Sequence, residues 1–283
     1  MHRAYHAWQE SELTALNLAI FEGRPQQVSE ELANLILESQ ELAKQGQYLF
    51  DPGIGQLVKL WGFHSDEFKA VLPPEVELKR LIAAHPSIKD LSQNGNIVTS
   101  LNKAVSLDFG GYLKGVALAR AANILRQQGI HNALINIGGN VNGSGQQGRP
   151  SLAGWYSAPP AKRPHWPLLS WLMAEHWHIG RLPAFLRTDG KRYPHLLTHA
   201  PVIRQATQAV TILIPAGPKA GTLSDAASKP VFIAGPEHWQ ELANLLGLEQ
   251  VIRVAADGQI FVTEKLAKRL KYTGAKPELT VVP

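Results

Sequence analysis

The stretch SLDFGGYLKG, residues 106–115, brings an acid, two adjacent glycines and a lysine close together. A strand-like segment precedes it, and apolar residues recur at helical spacing over residues 111–128. At such a junction the first N–H groups of a helix point outward, and glycine lets a ligand approach the main chain. The glycine spacing differs from the dinucleotide-binding fingerprint of a Rossmann fold. The stretch therefore predicts a ligand loop of another kind, with an ordinary turn and helix cap as the alternative.

Helical and strand patterns alternate on both sides of this stretch. Over residues 29–46 apolar residues recur at helical spacing, Ser29 can cap the helix and Gly46 ends it. We expect this helix to pack on a sheet. The other predictions are helices over residues 76–84 and 237–246, two short strands within 95–108, a buried strand over 133–137, a strand over 209–214, a helix or turn over 222–234, and a hairpin over 251–262 that turns at Asp257 and Gly258.

A second glycine pair, Gly138 and Gly139, directly follows the apolar run over residues 133–137. A loop at the end of a buried strand can also bring the main chain close to a ligand. Taken alone, such a pair is more often structural.

The segment over residues 146–188 differs in kind from the rest of the chain. It contains six prolines and four of the seven tryptophans, and it follows neither the helical nor the strand period. The sequence therefore assigns no regular element there.

The composition limits the classes of protein to which the chain can belong. Its 283 residues are 45% hydrophobic, which is enough for one large core or two modest ones. No apolar run approaches the roughly 18 residues that cross a bilayer. The absence of cysteine excludes disulfides, thiolate metal sites and cysteine nucleophiles. The formal net charge of +5 is scattered, which favours a mildly basic surface over a nucleic-acid site and is compatible with a basic pocket for a phosphate-bearing ligand.

Six segments occur in the order and spacing of a known protein family. Together they span residues 11–235 and are too many for a chance match. On these segments the chain resembles the ApbE family of FAD:protein FMN transferases. The segments are SELTALN (residues 11–17), DPGIGQLVKLWGF (51–63), SLDFGGYLKG (106–115), NALINIGGN (132–140), DGKRYPHLL (189–197) and SDAASKPVFIAG (224–235).

The resemblance implies a single α/β (α+β) domain over residues 1–283, with mixed sheets, packed helices, a cleft for FAD and a magnesium ion beside the diphosphate. The family splits FAD and transfers FMN to a threonine hydroxyl of a partner protein, usually a subunit of a membrane redox complex, with release of AMP. Family members often face the periplasm from the inner membrane. Residues 1–13 lack the pattern of a signal peptide. Because the chain begins close to the SELTALN segment, we expect the family's first strand and any lipoprotein signal to be missing.

Three residues match the family's metal ligands. The resemblance implies that the Asp225 carboxylate, the Gly111 carbonyl and Ser228 supply oxygen ligands to magnesium, which prefers such hard donors. We expect Asp225 to be a surface carboxylate whose removal leaves the fold intact. The alternative is that Asp225 caps a helix.

The resemblance also implies a catalytic base and a set of flavin contacts. His195 matches a histidine in the family's pocket and is the candidate base that accepts the threonine proton, although it also fits a surface histidine without a catalytic role. Asp108 and Lys114 match positions that contact FAD. The other implied flavin-binding residues are Trp8, Phe50, Asp51 and Leu196.

Lys229 departs from the family pattern, because a threonine usually stands four residues after the metal-binding aspartate. If this stretch is helical, Lys229 shares a face with Asp225. Its ammonium could then fill half of the cation site, or it could displace the metal. The alternative is that Lys229 points to solvent and Pro230 ends a turn. The use of magnesium is therefore an open question.

Two family segments, T-S-G-D-Y before DGKRY and D-P-R-T-G after HLL, are absent from the chain. The codons CAC ATC GGG CGA CTA CCA GCG TTT would encode residues 178–185, and reading them from the second nucleotide gives TSGDYQRF. Shifted frames can likewise give PRTGYPAS from residues 198–206 and GIQHPRQN from residues 155–162. We therefore hypothesise that residues 146–206 are partly non-family, out of frame and poorly ordered.

Two functions follow from the resemblance, and the third possibility is a scaffold that binds nothing because the middle third of the chain prevents folding. The first is an FAD:protein FMN transferase. The second is a catalytically impaired protein of the same fold that still binds flavin or another nucleotide, because Lys229 and the missing segments have removed catalysis. Release of AMP from FAD distinguishes the two.

Overall fold

The computed structural model describes residues 4–64, 72–145, 206–215, 217, 219–272 and 277–283, together with the backbone of five short strands between residues 153 and 194. Contacts divide the chain into two compact units. The first comprises Met1–Leu113 and Ala184–Gln205, and the second comprises Lys114–Pro183 and Ala206–Pro283. The single domain implied by the family stays a prediction.

The helices and strands are numbered in chain order. None of the described helices is long and apolar enough to cross a membrane. The helices are α1 Glu12–Glu22, α2 Glu30–Gln45, α3 Gly55–Leu60, α4 Glu75–Ala84, α5 Leu113–Gln127, α6 Ala220–Ala226, α7 Ser228–Ile233, α8 Gly235–Leu245 and α9 Glu264–Ala267. The strands are β1 Gln26–Gln27, β2 Leu91–Asn94, β3 Ile97–Ser100, β4 Ala133–Ile137, β5 Asn140–Ser144, β6 Ala153–Tyr156, β7 Leu169–Leu172, β8 His176–Arg181, β9 Phe185–Thr188, β10 Lys191–Pro194, β11 Thr207–Pro215, β12 Val251–Ala255, β13 Ile260–Thr263, β14 Leu270–Tyr272 and β15 Thr280–Val282.

The helix cap predicted at Ser29 and the helix end predicted at Gly46 form in the first unit. Ser29 caps α2 by accepting a hydrogen bond from the N–H of Leu32, and Gly46 ends the helix. Ser11 caps α1 in the same way. The helix predicted over residues 29–46 is therefore confirmed. The helices predicted over residues 76–84, 111–128 and 237–246 are also confirmed, as α4, α5 and α8, with ends that differ by at most two residues.

A three-stranded antiparallel sheet in the order β1-β3-β2 lies in the first unit. Gly95, with φ of +58°, turns the chain between β2 and β3, because glycine adopts this left-handed conformation without strain. Of the two strands predicted within residues 95–108, β3 lies in that range, whereas its partner β2 precedes Gly95. Nearby, α3 and α4 pack through Leu57 and Leu81.

A seven-stranded sheet in the order β15-β13-β12-β11-β8-β5-β4 dominates the second unit. Its neighbouring strands are antiparallel, except that β13 and β15 are parallel. The hairpin predicted at Asp257 and Gly258 is confirmed as β12 and β13. Part of the core of this unit covers one side of β11, β12 and β13, with the buried residues Ala209, Leu213, Ile252, Val254, Ile260, Val262 and Leu266.

One prediction for this sheet is wrong, and one stretch that the sequence left unassigned contributes a strand to it. The strand over residues 133–137 forms as β4, but β4 lies at the edge of the sheet and Leu134 is 52% exposed instead of buried. The sequence assigns no regular element over residues 146–188, but β6, β7, β8 and β9 lie within this range, and β8 pairs with both β11 and β5. The strand β8 is stabilised by pairing with strands that are distant in sequence, and the local pattern of residues does not predict such pairing.

Candidate functional site

Main-chain hydrogen bonds hold the SLDFGGYLKG stretch against the DPGIG stretch in the first unit. The N–H of Ser106 donates to the carbonyl of Gly53 at 3.1 Å, and the N–H of Gly55 donates to the carbonyl of Ser106 at 2.7 Å. A Cβ at Gly55 would lie 2.6 Å from that carbonyl oxygen, so glycine is required for this approach. Two of the family segments are therefore neighbours in the fold.

Asn17 joins a third segment, SELTALN, to this loop. Its Nδ2 donates to the carbonyl of Leu107 at 3.0 Å, and its Oδ1 accepts from the N–H of Leu107 at 2.7 Å. One amide side chain thus satisfies both main-chain groups of Leu107 and fixes the loop. The sequence-based prediction gave Asn17 no role, although its place at the end of SELTALN was the available signal.

Asp108 shapes the glycine turn that leads into α5. Its Oδ1 accepts a 2.7 Å hydrogen bond from the N–H of Gly110, and a Cβ at Gly110 would lie 3.1 Å from that oxygen. Gly111 follows directly in the same turn. The FAD contact of Asp108 and the metal contact of Gly111 stay predictions.

Asp51 has a structural role in the first unit. Its carboxylate is buried, and Oδ1 accepts hydrogen bonds from the N–H groups of Gly53 at 2.8 Å and Ile88 at 2.9 Å. Its Oδ2 has no hydrogen-bond partner among the described residues. Phe50, the preceding residue, is buried as well. Their predicted flavin contacts stay predictions, and sequence reasoning missed that Asp51 braces two loops.

Trp8 lines an open cleft of about 850 Å³ in the first unit. Its ring lies 5.5 Å from the ring of His64, and Lys59 and Arg80 add positive charge to the lining. The residues that line this cleft do not include Phe50 or any carboxylate of the predicted site; they are Ala7, Trp8, Thr14, Asn17, Leu18, Phe21, Gln56, Lys59, Leu60, His64, Glu77, Arg80, Leu81 and Ser106.

Asp225 is the centre of a buried polar cluster in the second unit. It is 2% exposed, which contradicts the expectation of a surface carboxylate. Its Oδ2 accepts a 3.1 Å hydrogen bond from the N–H of Gly115, and its Oδ1 accepts a 2.7 Å hydrogen bond from Nζ of Lys229. Its main-chain carbonyl accepts from the same Nζ at 2.5 Å and from the hydroxyl of Ser228 at 2.9 Å. Three oxygens of one residue thus accept four hydrogen bonds from three donor groups.

The helical positions explain this geometry. Asp225 lies in α6 and Lys229 in α7, four residues apart, so their side chains share a face as predicted. Lys229 is buried and Pro230 lies inside α7, so the alternative of a solvent-exposed lysine before a turn is wrong. Asp225 caps neither α6 nor α7, since neither has a side-chain cap, but its Oδ2 accepts from the N–H of Gly115 in the first turn of α5.

Two glycines bring α5 and α6 into close contact beside Asp225. A Cβ at Gly115 would lie 2.2 Å from the carbonyl oxygen of Gly221, and a Cβ at Gly221 would lie 2.6 Å from Cβ of Ala119. Only glycine at both positions permits this separation of the two helices. The N–H of Gly115 reaches Asp225 because of this contact.

The charges of the cluster determine its protonation. Burial alone would raise the pKa of the Asp225 carboxyl, but the charges of Lys229 and Lys114 outweigh it and hold the pKa below its usual value. For Lys229, burial has the larger effect and lowers the pKa of the ammonium, while Asp225 opposes this shift. The two lysine charges thus prevail at Asp225, whereas burial prevails at Lys229.

The NALINIGGN segment reaches the same cluster. A Cβ at Gly138 would lie 3.3 Å from Cδ of Lys114, and the Asn140 side chain helps to lower the pKa of Asp225. The Asn140 amide is buried, and its Nδ2 has no well-formed hydrogen bond within the described residues. Lys114 forms no hydrogen bond or ion pair with the described part of the chain. Sequence reasoning missed Asn140, although it directly follows the glycine pair.

The structure therefore unites part of the predicted site. Lys114, Asp225, Ser228 and Lys229 lie in the second unit, where the last three contact one another. Trp8, Phe50, Asp51, Asp108 and Gly111 lie in the first unit. His195 and Leu196 lie outside the described residues.

Comparison with known proteins identifies the family. A family model described as the ApbE family matches residues 1–252. The chain belongs to the ApbE family. It is 34% identical over 299 residues to an FAD:protein FMN transferase from Rhodobacter capsulatus, an alignment that covers 100% of this chain and 54% of that protein. It is 24% identical over 250 residues to the FAD:protein FMN transferase of Escherichia coli K12, with coverage of 84% and 69%. The chain thus spans about half the length of its Rhodobacter relative.

Solved structures of ApbE proteins share the fold. The flavin transferase ApbE from Vibrio cholerae matches with a TM-score of 0.79 and 23% identity, over 95% of this chain and 86% of that one. An ApbE protein from Thermotoga maritima matches with a TM-score of 0.79 and 21% identity, over 93% and 86%. The predicted ApbE-type α/β (α+β) fold is confirmed.

Proposed function

We propose that this ApbE-family chain is an FAD:protein FMN transferase, which moves FMN from FAD to a threonine hydroxyl of a partner protein and releases AMP. One observation carries the proposal: three segments far apart in sequence meet at one charged cluster in the second unit. They contribute Lys114, Asn140 and the pair Asp225 and Lys229. The names of the relatives from Rhodobacter and Escherichia agree with it.

The chemistry of the reaction suits a cluster of this kind. The threonine oxygen attacks the phosphorus of the FMN half, the bond from that phosphorus to the bridging oxygen breaks, and AMP leaves with the bridging oxygen. The threonine proton passes to a base. Phosphoryl transfer depends on positioning and on neutralising charge at the diphosphate more than on covalent help from the protein. The ammonium of Lys114, which has no hydrogen-bond partner among the described residues, lies beside Gly138 and Gly139 and meets that need.

Lys114 is the residue that we assign to the diphosphate. Its Nζ forms no hydrogen bond or ion pair with the described residues, so a phosphate oxygen can bind it without displacing any of these residues. A Cβ added at Gly139 would meet no atom within 4 Å, which leaves open space beside the glycine pair. Asn140 Nδ2 is a further donor without a well-formed bond among the described residues. These features fit the diphosphate of FAD.

The remaining assignments come from the family resemblance. We assign the general base to His195 and flavin contacts to Trp8, Phe50, Asp51, Asp108 and Leu196. The acceptor is a protein that bears a threonine, and a subunit of a membrane redox complex at the periplasmic face of the inner membrane is the proposed partner. These assignments are proposals for this chain, because it spans about half the length of its Rhodobacter relative.

The described residues do not fit the magnesium ion that the family implies. Asp225 uses Oδ1 and its carbonyl for Lys229 and uses Oδ2 for the N–H of Gly115. Within the described ranges, no group of three acidic or histidine side chains is placed to hold a metal. The ligand set Gly111, Asp225 and Ser228 stays a prediction, and no step of the proposed reaction is routed through a metal.

A second function remains, that of a flavin-binding protein without transferase activity. The observation that favours it is Lys229, which stands where the family has a threonine. Incubation of the full chain with FAD and threonine-containing peptides separates the two functions. Release of AMP with a covalently flavinylated peptide supports the transferase. Quenching of FAD fluorescence without AMP supports the binding protein, and neither signal would contradict both.

A further inference from the structure

We infer that Lys229 is a built-in cation that takes the place of a divalent metal at Asp225, so that this chain has no resident metal at its charged cluster. The inference rests on the proposed function only where it concerns the diphosphate of FAD. Whether a metal binds at Asp225 is tested on the protein alone, without FAD.

The position of the ammonium carries the inference. Nζ of Lys229 lies 2.7 Å from Oδ1 of Asp225 and 2.5 Å from the main-chain carbonyl of the same residue. It therefore bridges a carboxylate oxygen and a carbonyl oxygen, the two ligand types that a hard divalent cation prefers. Both side chains are at most 5% exposed, so water does not compete for these oxygens.

A divalent metal and this ammonium cannot occupy the site together. Magnesium binds oxygens at about 2.0–2.1 Å and needs about six of them. A metal that close to both oxygens of Asp225 would overlap Nζ of Lys229. The remaining oxygen, Oδ2, accepts from the N–H of Gly115, and the Ser228 hydroxyl points its proton at the Asp225 carbonyl. The cluster is thus complete without a metal.

The charge balance shows what the replacement does. Asp225 carries one negative charge and Lys229 one positive charge, so the pair is neutral and Lys114 is left as an unpaired cation within the described residues. Without Lys229 or a metal, the charge of the Asp225 carboxylate would cancel the charge of Lys114, and the cluster would no longer attract a phosphate. Lys229 therefore keeps the cluster attractive to an anion such as the FAD diphosphate.

Paramagnetic broadening by Mn²⁺ tests the inference directly. The amide of Gly115 is hydrogen-bonded to Asp225, so Mn²⁺ bound at Asp225 would broaden its NMR signal. We expect the ¹⁵N-labelled wild-type chain to keep the Gly115 signal in equimolar Mn²⁺. The variant Lys229→Thr should lose it at equimolar Mn²⁺, and Lys229→Thr combined with Asp225→Asn should keep it. Loss of the Gly115 signal in the wild type would overturn the inference.

The Gly115 signal of the wild type tests the inference even if the variants do not fold. Circular dichroism reports whether Lys229→Thr is folded, and retention of the Gly115 signal in the wild type supports the inference without it. A chelator separates this inference from the proposed function. AMP release that is unchanged by EDTA supports both, whereas AMP release that requires added Mg²⁺ overturns the inference and keeps the transferase. If no AMP is released under either condition, the transferase falls and the Mn²⁺ result still decides the metal question.

Discussion

The main-chain N–H of Gly115 donates a 3.1 Å hydrogen bond to Oδ2 of Asp225, a residue 110 positions further along the chain. Gly115 lies in the first turn of α5, and Asp225 lies in α6. The bond therefore fixes the start of α5 next to the ion pair of Asp225 and Lys229. Lys114, the residue before Gly115, is placed close enough to lower the pKa of both members of that pair.

Gly115→Ala should destabilise the protein and disturb the cluster. The new Cβ would lie 2.2 Å from the carbonyl oxygen of Gly221, and backbone cannot yield as a side chain can. We expect a loss of about 1–3 kcal/mol in the free energy of unfolding, measured with urea. Gly217→Ala is the matched control, since an added Cβ there meets no atom within 4 Å. Equal stability of the two variants would contradict the close contact of α5 and α6.

Asp225→Ala should be strongly destabilising, contrary to the expectation from the sequence. It would leave the ammonium of Lys229 buried without a counter-ion, which costs roughly 3–5 kcal/mol. Urea denaturation followed by circular dichroism measures the loss. Glu75→Ala, which breaks the exposed pair of Glu75 and Lys79, is the control and should leave stability unchanged. A stable Asp225→Ala protein would show that Lys229 is not held in this pair.

Acid should remove stability that the Asp225 carboxylate supplies. Its folded-state pKa is lowered, so the folded protein binds this proton less readily than the unfolded chain does. The contribution is therefore present above the unfolded pKa of about 3.9 and is lost as the pH falls through the folded pKa. Urea denaturation between pH 5 and pH 2, roughly the window around that pKa, should show a steeper loss for the wild type than for Asp225→Asn combined with Lys229→Met. An equal loss of stability with falling pH in the two proteins would contradict the lowered pKa of Asp225.

The gene that encodes the chain should show whether residues 146–206 are out of frame. The hypothesis predicts codons at residues 178–185 that read TSGDYQRF in a shifted frame. It also predicts codons at residues 198–206 that give PRTGYPAS. Nucleotide sequencing checks both, and codons that are incompatible with either shift would remove the hypothesis. The strand β8 includes part of the first stretch, and the second lies outside the described residues.

Local sequence signals predicted the elements that local interactions form. Ser29 and Gly46 bound α2 because capping depends on a few neighbouring residues, and Asp257 with Gly258 turns a hairpin for the same reason. The helical spacing of Asp225 and Lys229 predicted a shared face, which the ion pair confirms. The burial of that pair was not predictable, since it depends on the approach of α5 through Gly115 and Gly221.

Contacts between distant segments account for what the sequence did not reveal. Whether β4 is a central or an edge strand depends on the order of the whole sheet, so Leu134 was wrongly predicted to be buried. The clamp of Asn17 on Leu107 and the approach of Asn140 to Asp225 also join segments far apart in sequence. Asn17 and Asn140 each lie at the end of a family segment, but the match of a segment does not show which residues it contacts.

Release of AMP from FAD by the full chain tests the central claim, that Lys114 and the Asp225 cluster support FMN transfer, most directly. The measurement compares the wild type with Lys114→Ala and with Lys79→Ala, in which an exposed lysine of α4 is removed. With threonine-containing peptides or water as acceptor, we predict AMP release by the wild type and by Lys79→Ala. Loss of a charge-assisted contact to phosphate should slow Lys114→Ala by about 10- to 100-fold. Intact FAD with the wild type, or equal AMP release by Lys114→Ala, would contradict the account.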